Sequence, residues 1–236
     1  MGDSRWRRLV AELLGTGVLV AAVVGSGIMA SRLTTDVGLQ LLINALATVA
    51  ALGVMIATLG PISGAHFNPA VTLIAAIRRE VSPGEASLYV AAQFAGGLAG
   101  VAVANLMFGL PAWQASTHHR AGSGLLLGEA VATAGLLLVI GVLTRTGRGR
   151  LGALAVPAWI GAAYFFTAST SFANPAVTLA RSLTNTFTGI APADVMPFVA
   201  AQLVGAALGA GITELLLPRP GVPEPLDLPE AVHEHQ

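Results

Sequence analysis

The sequence predicts an all-α membrane protein with six transmembrane helices and two re-entrant half-helices, arranged as an inverted repeat. Three observations carry the prediction. Only 10% of the 236 residues are charged and 54% are hydrophobic, whereas a soluble domain carries about 25% Asp, Glu, Lys and Arg. Six apolar stretches approach the ~20 residues that cross a hydrocarbon core. Two short motifs, each built around Asn-Pro-Ala, recur at matching places in the two halves of the chain.

The six stretches lie at residues 9–29, 38–59, 86–108, 124–143, 151–170 and 195–217. The first follows Arg5, Arg7 and Arg8, but it exceeds the ~7–15 residues of a signal-peptide core and contains Glu12. It reads as a retained helix. All twelve basic residues are Arg, and basic residues collect in cytoplasmic loops. With the N-terminus inside, Arg5, Arg7, Arg8, Arg78, Arg79, Arg145, Arg148, Arg150 and Arg219 face the cytoplasm, and Arg32, Arg120 and Arg181 face outward. That asymmetry predicts an inner-membrane, multi-pass protein with both termini cytoplasmic. One channel domain is expected over residues 1–217, with its repeats at about 9–108 and 124–217. Residues 218–236 carry Pro218, Pro220, Pro223, Pro225 and Pro229 among polar residues, a composition that predicts a disordered tail.

The repeat is explicit. Val90-Ala91-Ala92-Gln93 returns as Val199-Ala200-Ala201-Gln202, and Gly96 and Gly100 return as Gly205 and Gly209. These small-xxx-small spacings let helix backbones approach closely in lipid. Asn68-Pro69-Ala70-Val71-Thr72-Leu73 returns as Asn174-Pro175-Ala176-Val177-Thr178-Leu179, and Glu12 corresponds to Glu129. Three spans per half force the second half to insert upside down, and inverted repeats hold their site near the midplane, between the halves.

After Pro69 the apolar run ends at Ile77; at 1.5 Å per residue it reaches about half of the hydrocarbon core. The run after Pro175 is similarly short and stops at Arg181. Asn is a favoured N-cap and Pro suits the first helical position, so each motif starts a half-helix that enters without crossing. Entering from opposite faces, the two meet N-terminus to N-terminus. Two positive dipole ends and the amides of Asn68 and Asn174 then attract the oxygen of a neutral solute and repel cations. A water molecule that accepts from both amides no longer accepts from its neighbour, which interrupts a proton wire. Passive, selective permeation follows.

These residues resemble the aquaporin, or major intrinsic protein, family, and within it a bacterial aquaglyceroporin-like branch associated with arsenic resistance. The resemblance rests on Ser63-Gly64-Ala65-His66-Phe67-Asn68-Pro69-Ala70-Val71-Thr72, on Phe172-Ala173-Asn174-Pro175-Ala176, and on the Glu12/Glu129 and Gln93/Gln202 pairs. It implies a homotetramer with a pore in each protomer and re-entrant loops held by the two Glu side chains. The family's outer constriction, carried over without gaps, falls at Thr48, Ala162, Ser171 and Val177. Most members have Arg at the last of these, so this set is small and uncharged. Pore width and lining donors set selectivity, and the expected solutes are water together with larger neutral molecules such as glycerol or arsenite. Arg181, four residues beyond Val177, lies on the same helical face one turn further out. It either places a positive charge in the vestibule, or pairs with a loop carboxylate or snorkels to the interface. His66 is expected at the cytoplasmic pore mouth, and Gln93 and Gln202 are expected to make helix-to-helix or loop hydrogen bonds. The adjacent His118 and His119 read as solvated loop residues.

No nucleophile with a base and no metal-ligand spacing stands out, so no catalytic residue, metal or other cofactor is expected and the chain does not read as an enzyme. Without a basic stripe, nucleic acid is not an expected partner; small neutral solutes and the lipid bilayer are. A water-selective pore is the alternative, and an ion-coupled secondary transporter is a more distant one, because coupling needs titrating or ion-coordinating groups near Asn68 and Asn174.

Overall fold

The computed structural model describes residues 3–217; the Pro-rich tail expected over 218–236 lies outside the described residues. Among the described residues, eight α-helices run in the order α1 (Asp3–Leu33), α2 (Val37–Ser63), α3 (Pro69–Ile77), α4 (Pro83–Met107), α5 (Ser123–Arg145), α6 (Gly152–Phe166), α7 (Pro175–Arg181) and α8 (Pro192–Leu216), with one 3-10 turn at Gly149–Leu151 before α6. Among the described residues, α1, α2, α4, α5 and α8 have the length and hydropathy of membrane spans.

Local chemistry accounts for several of the boundaries. The Asp36 side chain accepts from Leu39 N at 2.8 Å and starts α2, and Gly64, in the left-handed region at φ 87°, ends it. Ser82 caps α4 by accepting from Glu85 N. Several helices overrun their apolar runs; α1 takes in Arg5, Arg7 and Arg8, since charged residues continue a helix once it has left the hydrocarbon. The stretch 151–170 is where expectation and structure differ. Its helix has 15 residues and stops at Phe166, about 22 Å of rise. Beyond it, Thr170 and Ser171 take φ values of 62° and 54°, so the Ser/Thr-rich segment leaves the helix and becomes the loop that feeds α7.

The packing follows the sequence repeat. α1 lies against α4 and α2, α5 lies against α8 and α6, and α3 and α7 sit between the halves and touch each other. A Cβ on Gly96 or Gly100 would lie 2.2 Å from the carbonyl oxygen of Leu13 or Gly17, and one on Gly205 or Gly209 would lie 2.3 or 2.1 Å from that of Ala130 or Ala134. Backbone cannot yield as a flexible side chain does. Gly100→Val is therefore expected to push α1 and α4 apart at a cost beyond the ~1–3 kcal/mol of ordinary overpacking, and to abolish the monodisperse size-exclusion peak in detergent. Gly124→Ala, at a position with open space around it, serves as the control and should leave that peak intact.

Exposure is inverted relative to a water-soluble protein. Leu46, Leu154 and Leu208 are exposed, while Glu12, Gln93, Glu129, Gln202, Asn44 and Thr133 are buried. Outward apolar side chains suit a lipid surround, and the buried polar ones require internal partners. The bundle has two ends. At one, here called the base, α1 begins and α8 ends; Arg8 pairs with Glu85 at 2.8 Å and Arg78 with Glu214 at 3.3 Å. At the other, the crown, the α4–α5 connection is tied to the α7–α8 connection through Gln114 N to Leu183 O and Ala191 N to His118 O.

Candidate functional site

The site is built from two matching loops. Asn68 caps α3 by accepting from Ala70 N at 2.9 Å, and Asn174 caps α7 by accepting from Ala176 N at 2.9 Å. Pro69 and Pro175 open the two half-helices, where no amide is needed. Each Asn also reaches across the repeat. Asn68 Nδ2 donates to Ala173 O at 2.7 Å, and Asn174 Nδ2 donates to Phe67 O at 2.8 Å. An amide nitrogen carries two hydrogens, so one N–H of each Asn locks the opposite loop and one remains. The sequence indicates the caps but not this reciprocal lock, which joins residues more than a hundred positions apart.

Holding the loops has a conformational cost. Ala65, Phe67, Ser171 and Ala173, at equivalent positions before the two Asn residues, have φ between 49° and 54°. Non-glycine residues there cost about 1–2 kcal/mol each. The buried carboxylates offset this. Glu12 accepts from His66 N at 3.0 Å and Phe67 N at 2.7 Å, and Glu129 accepts from Phe172 N and Ala173 N, both at 2.9 Å. Gln93 Nε2 bridges Glu12 and Thr72, and Gln202 Nε2 bridges Glu129 and Thr178. Thr72 and Thr178 complete each network, and the repeat of Thr four residues after Asn was the available signal for them.

A single cavity of about 380 Å³ runs beside both loops, lined at the base by Arg78 and Thr144, at mid-depth by Asn68 and Asn174, and toward the crown by Arg181. Thr48, Ser171, Val177 and His66 also line it. His66 Nδ1 lies 3.0 Å from Thr72 Oγ1, and its ring meets Tyr89 edge-on at 5.4 Å. The ungapped placement of Ala162 in this set is corrected. Ala162 is exposed on the outside of α6, because the buried stripe of that helix runs through Val156, Pro157, Ile160, Ala163 and Tyr164, and residue 162 falls on the opposite face. Tyr164, on the buried face of α6, lines the cavity with its hydroxyl 3.2 Å from Thr48 Oγ1.

Arg181 is 3% exposed. Its Nε donates to Thr188 O at 2.5 Å, and its guanidinium lies 3.4 Å from the centroid of the Phe172 ring. Arg120 approaches the same ring at 5.2 Å and is anchored by Nε to Gly189 O at 2.8 Å. This second guanidinium was not legible as a site residue, since only the folded crown brings the α4–α5 loop onto α7. His119 is not merely solvated: its Nδ1 sits 3.2 Å from Asp194 Oδ2, although its ring remains largely exposed. No cluster of metal-ligating residues occurs among the described residues.

Two inverted halves, each sending a capped half-helix to the wall of one cavity, define a membrane channel protein. The Major intrinsic protein family profile matches residues 2–172, and the chain belongs to that family. It is 53% identical over 211 residues to the aquaglyceroporin AqpS of Rhizobium meliloti, covering 89% of this chain and 90% of that one. It is 32% identical to the maize aquaporin TIP4-4, over 93% of this chain and 90% of that one. The fold is also similar to the X-ray structure of the aquaglyceroporin from Plasmodium falciparum, with a TM-score of 0.67 and 22% identity over 91% of this chain and 98% of that one.

Proposed function

We propose that the chain, as one unit over residues 1–217, is a passive channel for small neutral solutes, passing water together with polyol-like molecules such as glycerol and arsenite. The observation that carries this reading is the wall of the cavity around the second Asn-Pro-Ala. There Val177 and Ser171, rather than a charged or bulky pair, stand beside Asn174. Thr48 and Tyr164, whose hydroxyls lie 3.2 Å apart, line the same cavity. A polyol finds hydroxyl partners in Thr48, Tyr164 and Ser171 and aliphatic carbon in Val177. The likeness to a bacterial aquaglyceroporin supports the same substrate class.

Exclusion of protons and cations rests on three features. The remaining N–H of Asn68 and of Asn174 both donate toward mid-cavity, so a water between them accepts twice. The N-terminal ends of α3 and α7 add positive potential. Arg181 stands over the crown end, a turn beyond the position Val177 occupies, and raises the barrier to cations. The base is read as cytoplasmic, in an inner membrane, and the assembly as a homotetramer with one pore per protomer. No bond chemistry is performed and no cofactor is required.

The test is stopped-flow light scattering on proteoliposomes holding the full chain. Glycerol and arsenite flux should exceed that of empty vesicles and should not respond to proton or sodium gradients. Water flux without either solute would establish a water-selective pore instead, and gradient-driven flux would establish a coupled transporter.

A further inference from the structure

We propose that the crown end of the cavity is a binding site for one small monocarboxylate, held by the terminal nitrogens of Arg181 and assisted by Ser171. Arg181 is a cation 3% exposed that lines the cavity. Its Nε is used by Thr188 O and its face by Phe172, but among the described residues neither Nη1 nor Nη2 has a hydrogen-bond acceptor. The Ser171 hydroxyl, one residue before Phe172, is buried without a partner and lines the same cavity.

Charge points the same way. Arg120 stands on the same aromatic ring, and among the described residues neither guanidinium has a carboxylate within ion-pairing distance. The two acids facing this region are committed elsewhere. Glu129 accepts from Phe172 N, Ala173 N and Gln202. Asp194 accepts from Arg120 N at 2.8 Å and meets the His119 ring. A buried, uncompensated cation is costly, and a mobile anion relieves that cost. The open ends of a guanidinium fork match the two oxygens of a carboxylate, and Phe172 holds the fork flat in one orientation. A neutral solute's oxygen satisfies the N–H groups but leaves the charge.

Binding itself does not depend on the channel reading; the consequence for flux does. An anion seated there lies in the path of solutes that pass between Val177 and the crown, so external carboxylate competes with permeation.

The test is saturation-transfer NMR of formate with the full chain in detergent at neutral pH, where formate is wholly ionised. Transfer to the formate proton is expected in the wild type, with competition by acetate and none by the larger gluconate. Arg181→Gln should abolish transfer, with folding checked by its thermal midpoint. Arg181→Lys, which keeps charge but loses the fork, and Ser171→Ala should each weaken formate by about three- to tenfold. No transfer in the wild type, or undiminished transfer in folded Arg181→Gln, overturns the site; if that variant does not fold, unchanged affinity in Arg181→Lys and Ser171→Ala does so. In proteoliposomes, replacing external gluconate with formate should slow glycerol flux about twofold or more. Absence of any glycerol flux defeats the channel reading alone and leaves the NMR result standing.

Discussion

Val177→Arg is expected to lower glycerol permeability about tenfold or more, a barrier increase of at least ~1.4 kcal/mol, while water permeability falls far less. Val177 is 4% exposed and lines the cavity beside Ser171 and Asn174. A guanidinium at this position replaces two methyl groups with a long, planar, hydrated cation. It narrows the passage and removes the aliphatic wall against which a polyol carbon chain would lie. Arg181 sits one turn away on the same half-helix, so the two charges repel and the new side chain is pushed toward the cavity axis. Paired osmotic measurements with water and glycerol on the same proteoliposome preparation check this. Equal glycerol flux in the variant and the wild type would show that Val177 does not set the limiting width.

Glu129→Ala is expected to be the most destabilising single change in the second half. The side chain is fully buried and accepts from Phe172 N, Ala173 N and Gln202 Nε2. Truncation leaves three buried donors unsatisfied at about 1–3 kcal/mol each and frees a loop whose Ser171 and Ala173 are held at positive φ. The expected loss of about 3–5 kcal/mol is a large share of the net stability of a typical domain. The readouts are the thermal midpoint in detergent and the recovery of folded protein. Glu129→Gln, which retains one acceptor oxygen, should fall between alanine and the wild type. A wild-type midpoint for Glu129→Ala would mean that the loop is held by the Asn174–Phe67 and Asn68–Ala173 bonds alone.

Much of this architecture was legible residue by residue. Asn68 and Asn174 announce half-helix starts because a cap acts within one turn: the side chain accepts from an amide two residues on. Glu12 and Glu129 were legible as a pair because each recurs at the same place in its half, their anchoring role being what the family resemblance implied, and the glycines at 96, 100, 205 and 209 because close approach leaves no room for a side chain. Ala162 shows where spacing fails. An ungapped carry-over assumes that helix and loop keep one register, but α6 stops at Phe166 and the residues up to Ala173 turn through left-handed backbone. Which face of α6 meets the cavity is then set by its packing against α2 and α5, and that packing selects Tyr164.

The sequence by itself determined the membrane class, the inverted repeat and the two capped half-helices, because hydropathy, capping and small-residue spacing are properties of neighbouring residues. Only the tertiary structure decided how Asn68 and Asn174 divide their hydrogens, that the Thr48 and Tyr164 hydroxyls meet in the cavity wall, and that Arg181 ends buried on Phe172 beside Arg120 with no carboxylate among the described residues to balance it. Those outcomes depend on contacts between residues as far as 116 positions apart. The electrostatic state of a buried charge is likewise a sum over every group that packs around it, which no local pattern in the chain encodes.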